Sequence, residues 1–116
     1  MKITPSINGI TKGKYDITVD NMPGAIEIRK INNELSIRIF AVSPKPYGAA
    51  YRPGFTGSSA NTYILEKSTN LNAQTDNKIW VSLNVISLIW AFCQDYEIEV
   101  NPIEFNIAEF VEEAIK

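Results

Sequence analysis

The chain has 116 residues, with 11 basic and 13 acidic side chains, one cysteine and no histidine, and 45% of it is apolar. Those values fit one soluble domain with one core. They exclude a disulfide scaffold, a Ser-His-Asp triad, a Cys-His dyad and a His-ligated zinc. The formal net charge of −2 argues against a dedicated nucleic-acid binder, which carries a basic excess.

In chain order, Ile3, Ile7 and Ile10 lie among Pro5, Gly9 and Gly13, a pattern for an edge strand or ordered arm over residues 1–13. No signal-length apolar run follows Met1, so no secretory leader is expected. Residues 14–20 alternate, with Tyr15, Ile17 and Val19 on one side and Asp16, Thr18 and Asp20 on the other. That period of two predicts a half-buried strand. Asn21-Met22-Pro23-Gly24 has the chemistry of a four-residue turn, which sets Val19 opposite Ile26 and Ile17 opposite Ile28.

Strands follow over 25–31 and 34–42, joined by Asn32-Asn33, where asparagine tolerates the left-handed backbone of a tight hairpin. A two-residue turn there opposes Ile28 with Ile37, Ile26 with Ile39 and Glu27 with Arg38. Apolar residues then share one face and an attractive ion pair occupies the other. The three strands make an antiparallel meander over residues 14–42.

Residues 43–61 hold three prolines and three glycines and read as a long loop. A short strand over 62–67 follows, then a polar connection over 68–77. Lys78 to Ser82 reads as a strand and Asn84 to about Gln94 as a helix buried nearly all round, with Trp80 and Trp90 in the core. The apolar stretch Ile79 to Cys93 is broken by Ser82, Asn84 and Ser87. It falls short of the roughly 20 residues of a membrane span. Residues 96–100 alternate as a strand, and Asn101-Pro102-Ile103-Glu104 reads as a capped helix start. The stripe Ile103, Ile107, Phe110, Val111, Ala114 and Ile115 then defines a helix over 102–115. The expected fold is a two-layer α+β domain spanning residues 1–116. Its mostly antiparallel sheet of five or six strands has two helices packed on one face.

The loop is the first candidate site. Tyr47, Tyr51 and Phe55 interleave with Lys45 and Arg52, a mixture that can hold a base, a nucleotide or a Pro-rich peptide. Gly54 to Ser59, with Ser58 and Ser59, has the composition of an anion-holding nest but lacks the endings of the phosphate-loop motifs. The alternative is a loop whose aromatics pack on the core or serve as a subunit arm. The second candidate is the acidic face of the last helix, where Glu109, Glu112 and Glu113 can meet a basic partner or simply be solvated.

Weaker features are weighed beside them. Cys93 has no nearby positive charge to make it a nucleophile and reads as a small core residue. Asp95, Glu97, Glu99 and Glu104 are a carboxylate run suited to Mg²⁺ or Ca²⁺, though charged strand faces are usually solvated. Asp20 with Glu27-Ile28-Arg29 faintly resembles the acidic ligand pattern of metal-dependent nucleases. Arginine stands where those have lysine.

Three functional classes follow. The first is a small cytoplasmic protein-binding or inhibitor-type protein, immunity-like or phage counter-defence-like, that acts by occupying a macromolecular partner. The second is a small-molecule or nucleotide-binding oligomer using the 43–61 loop. The third is a carboxylate- and metal-dependent enzyme. The first is preferred on size, charge and the missing catalytic kit. It implies no cofactor, nucleic acid or membrane, and a protein or small ligand as partner, with a homo-oligomer compatible.

Overall fold

A computed structural model describes residues 2–43, 52–53, 63–100 and 104–116 of the protein. The elements are β1 (Lys2–Thr11), β2 (Lys14–Val19), β3 (Met22–Ile31), β4 (Glu34–Ser43), β5 (Arg52–Pro53), β6 (Tyr63–Leu71), α1 (Lys78–Tyr96), β7 (Glu99–Val100) and α2 (Ile107–Ile115). They form an α+β fold with one curled sheet in the order β5-β6-β4-β3-β2-β1-β7. Every pairing is antiparallel except β1 with β7.

The meander forms as the alternation demands. At the β3–β4 hairpin Ile28 faces Ile37, Ile26 faces Ile39 and Glu27 faces Arg38, with Asn32 at φ 56° in the turn. The β2–β3 hairpin departs from the expected register. Its turn is Asp20-Asn21, both left-handed at φ 50° and 69°, so Val19 faces Met22 and Tyr15 faces Ile26. Asp and Asn accept that backbone readily, and a two-residue turn matches strand twist better than the longer Pro-Gly turn. The ladder slips by four residues, an even number, so every apolar side chain keeps its face. Pro23 is tolerated because β3 pairs with β4 only from Gly24 onward.

β1 is not an edge arm. It pairs with β2 on one side, with a bulge between Pro5 and Ile10, and with β7 on the other. Ile3, opposite both Val19 and Val100, is fully buried.

Two helix boundaries differ from the sequence reading. Residues 78–82 are the first turns of α1, not a strand. Asn77 caps them, its side chain accepting from the Trp80 N–H at 3.0 Å. Val81, Val85, Leu88, Phe92 and Tyr96 then bury one continuous helical stripe. α1 ends where Glu97 turns left-handed at φ 55°, so β7 begins only at Glu99.

α2 begins at Ile107 with Asn106 as its cap, not at Pro102; residues 101–103 lie outside the described residues. Phe105 is buried beside the Tyr15 ring, and the Asn106 N–H donates to the Tyr15 hydroxyl at 3.1 Å. Those contacts fix Phe105 and Asn106 in non-helical backbone immediately ahead of Ile107. α2 then buries Ile107, Phe110, Val111 and Ala114. α1 packs on β4 and β6, and α2 on β1, β2, β3 and α1.

Candidate functional site

The outer face of α1 was expected to be buried and is not. Ile79 is 75% exposed, Leu83 58% and Trp90 50%, with Ile86 partly buried between them. Their spacing of four, three and four residues places all four on one side of the helix, opposite the core stripe. Ser82, Asn84 and Ser87 flank them, and residues 79–94 carry no charged side chain. A solvent-facing helix stripe normally carries the charges of an amphipathic pattern. Here Ile and Leu stand in their place.

The ridge runs into a cleft where α1, β7 and the start of α2 meet. The cleft holds about 260 Å³ and is lined by Ile86, Ile89, Trp90, Val100, Phe105 and Ile107 among others. That is below the roughly 300–1,000 Å³ of small-molecule pockets. It suits a single apolar side chain better than a cofactor. On its other side Trp90 borders a shallow shelf shared with Cys93, Gln94, Glu97, Ile98 and Glu99. Trp90 is therefore flanked by two concavities.

Cys93 is 3% exposed, and burial pushes its thiol from 9.0 up to about 11. A thiol held neutral is no nucleophile at physiological pH.

The sheet face that carries Glu27 and Arg38 is polar. Arg38 reaches Glu27 at 3.4 Å and Glu66 at 3.0 Å, and its guanidinium lies 4.3 Å from the centre of the Phe40 ring. Glu27 is thus held in an ion pair. Asp20 sits at the hairpin tip, some six residues of strand from Glu27, or roughly 20 Å. The nuclease-like pattern does not assemble.

The loop candidates Tyr47, Tyr51, Phe55, Ser58 and Ser59 lie outside the described residues. Of Arg52 the backbone alone is described, in β5 opposite Ile64. The acidic candidates on α2 each have a local partner. Glu109 accepts from the Asn106 side chain, Glu112 pairs with Lys78 at 2.8 Å and Glu113 with Lys116 at 3.2 Å. The Lys78 ammonium, by hydrogen bond and charge, lowers the pKa of Glu112. The carboxylate run is dispersed. Asp95 pairs with Lys67 at 2.7 Å, Glu104 with Lys2 at 3.6 Å, Glu97 caps α1 and Glu99 lies on β7. Among the described residues no three acidic, histidine or cysteine side chains gather as a metal site would need.

The ridge was present in the sequence as a second apolar stripe at 79, 83, 86 and 90, beside the stripe that packs on the sheet. The stripe is hidden when residues 78–82 read as a strand and only 84–94 as a helix, buried nearly all round. Among the described residues no helix is long and apolar enough to cross a membrane. No family model, curated protein or solved structure matches the chain.

Proposed function

We propose that this protein is a protein-binding domain that acts by occupying a macromolecular partner, and that its working surface is the outer face of α1 with the adjoining cleft. The reading takes both helices as one layer on one face of the sheet, which leaves the far side of α1 to the partner. The observation that carries it is the uncharged ridge Ile79, Leu83, Ile86 and Trp90. Three side chains at least half exposed on one helix face put a few hundred Å² of contiguous apolar surface in water. That is the size of the largest apolar patch on a typical monomer, which is often functional. Trp90 between two concavities has the character of an interface anchor, since tryptophan dominates binding hot spots. A free cysteine suits a reducing cytoplasm, where an inhibitor of this size would meet its target.

The test compares two double variants in affinity capture from the native host. Leu83→Glu with Trp90→Glu is expected to abolish capture. Glu109→Lys with Glu113→Lys is expected to leave it within about twofold, because those carboxylates are exposed and locally paired. Capture through the ridge should also persist at high salt, where exposed charge pairs are screened. Capture that survives the ridge variant and fails in the charge-reversed one would transfer the function to the α2 face.

A further inference from the structure

We propose that the polar face of the sheet carries a binding site for a small zwitterionic amino acid, built by Arg29, Ser36 and Glu27 with Arg38 beside them. The site is separate from the α1 ridge and does not depend on what the ridge binds. In the β3–β4 ladder Arg29 stands opposite Ser36 and Glu27 opposite Arg38. Residues two apart on a strand share a face, so the four side chains form two adjacent rows. They line a hollow of about 120 Å³. That is the share of roughly four water molecules. It admits the head of a small molecule and excludes a nucleotide.

The four side chains are unequally engaged. Arg38 is held by Glu27 at 3.4 Å and by Glu66 at 3.0 Å, with its guanidinium 4.3 Å from the centre of the Phe40 ring. The other cations of β2 and β3 are paired as well, Lys14 with Asp16 and Lys30 with Asp76. Arg29 has no acidic partner among the described residues, and the Ser36 hydroxyl makes no hydrogen bond to them. Glu27 spends Oε1 on Arg38 and leaves Oε2 without a donor among the same residues. The Arg38 Nε is the one buried side-chain nitrogen or oxygen among the described residues that lacks a partner. Buried polar groups are normally satisfied, so an acceptor is missing beside this guanidinium.

The unspent groups select the ligand. Arg29 leaves one end of the hollow positive, with no counter-ion. At the other end two carboxylates answer Arg38, and one of them keeps a free oxygen. A simple anion would satisfy Arg29 and face the Glu27 carboxylate; a simple amine would do the reverse. An α-amino acid carries both charges on neighbouring atoms. Its carboxylate matches the planar fork of Arg29, with the Ser36 hydroxyl as a further donor. Its ammonium is the donor that Glu27 Oε2 lacks. The two rows lie about 7 Å apart along the strands, a distance that the two charged groups and a hydrogen bond at each end can bridge. The small volume favours glycine or alanine.

The test titrates alanine into the pure full-length protein and follows the backbone amides by nuclear magnetic resonance. The expected result is a set of saturable shifts centred on residues 27–29 and 36–38. Arg29→Gln and Glu27→Gln, at unchanged circular dichroism, should each weaken binding by about tenfold or more, the loss expected for one charge-assisted hydrogen bond. Acetate and methylamine, which each carry one of the two charges, should bind more weakly than alanine by a similar factor. Absence of saturable shifts at tens of millimolar alanine would overturn the site. So would binding that both variants retain. Acetate or inorganic phosphate binding as tightly as alanine would refute the zwitterion.

Discussion

Gly24 lies in β3 opposite Ala41 of β4. A Cβ built there would come within 2.1 Å of the Phe40 carbonyl oxygen and 3.0 Å of the Ala41 Cα. The obstacle is backbone in a central pair of strands and has no side chain to swing aside. Gly24→Ala is therefore expected to destabilise the fold by about 1–3 kcal/mol, the range for forced overpacking, as read from a urea midpoint. Cys93 makes a different claim. Its folded thiol is raised from 9.0 to about 11 by burial, so the native state holds the proton more tightly than the unfolded chain. The stability gained by keeping the thiol neutral is complete below pH 9 and is lost as pH rises through about 11. In urea titrations the margin of the wild type over Cys93→Ala should narrow across that interval. A margin independent of pH would show that the thiol is not desolvated.

Caps and hairpins decide where the elements begin and end. Asn106 accepts from the Glu109 N–H and donates to the Glu109 carboxylate, which closes the first turn of α2 from both sides. Asn106→Ala is expected to cost about 1 kcal/mol in thermal or urea unfolding, typical of a lost N-cap. Asn101-Pro102 offered an equally good start by local rules. Local rules do not register that Tyr15, ninety-one positions away, hydrogen-bonds Asn106 and packs its ring on Phe105 and Phe110. The hairpins show the same contrast. Asn32-Asn33 was legible because one short turn satisfied both the alternation and the Glu27–Arg38 pair. Residues 20–24 offered two turns of the same parity, Asp20-Asn21 and a longer one through Pro23-Gly24. Face alternation cannot separate registers that differ by an even number of residues.

At the scale of the molecule, β7 and α2 complete a sheet begun at the other end of the chain. β7 adds a parallel strand beside β1, and α2 covers Tyr15 on β2. A chain ended after Tyr96 would leave the β1 edge unpaired and Tyr15 without its ring contacts to Phe105 and Phe110. It is expected to lose its sharp urea transition and its near-ultraviolet circular dichroism; a truncated chain that keeps both would show β7 and α2 to be dispensable. The sequence by itself determined the α+β class, the core face of the meander and the absence of histidine chemistry. Each follows from composition or from a period of two or 3.6 residues, which any local window contains. Tertiary structure alone decided that β1 is an inner strand, that α1 runs unbroken from Lys78 to Tyr96, and that one of its two apolar stripes stays in water. The physical reason is that burial belongs to a pair of surfaces. Ile79, Leu83 and Trp90 are as apolar as Val81, Val85 and Phe92, and only the position of the sheet determines which of the two rows is covered.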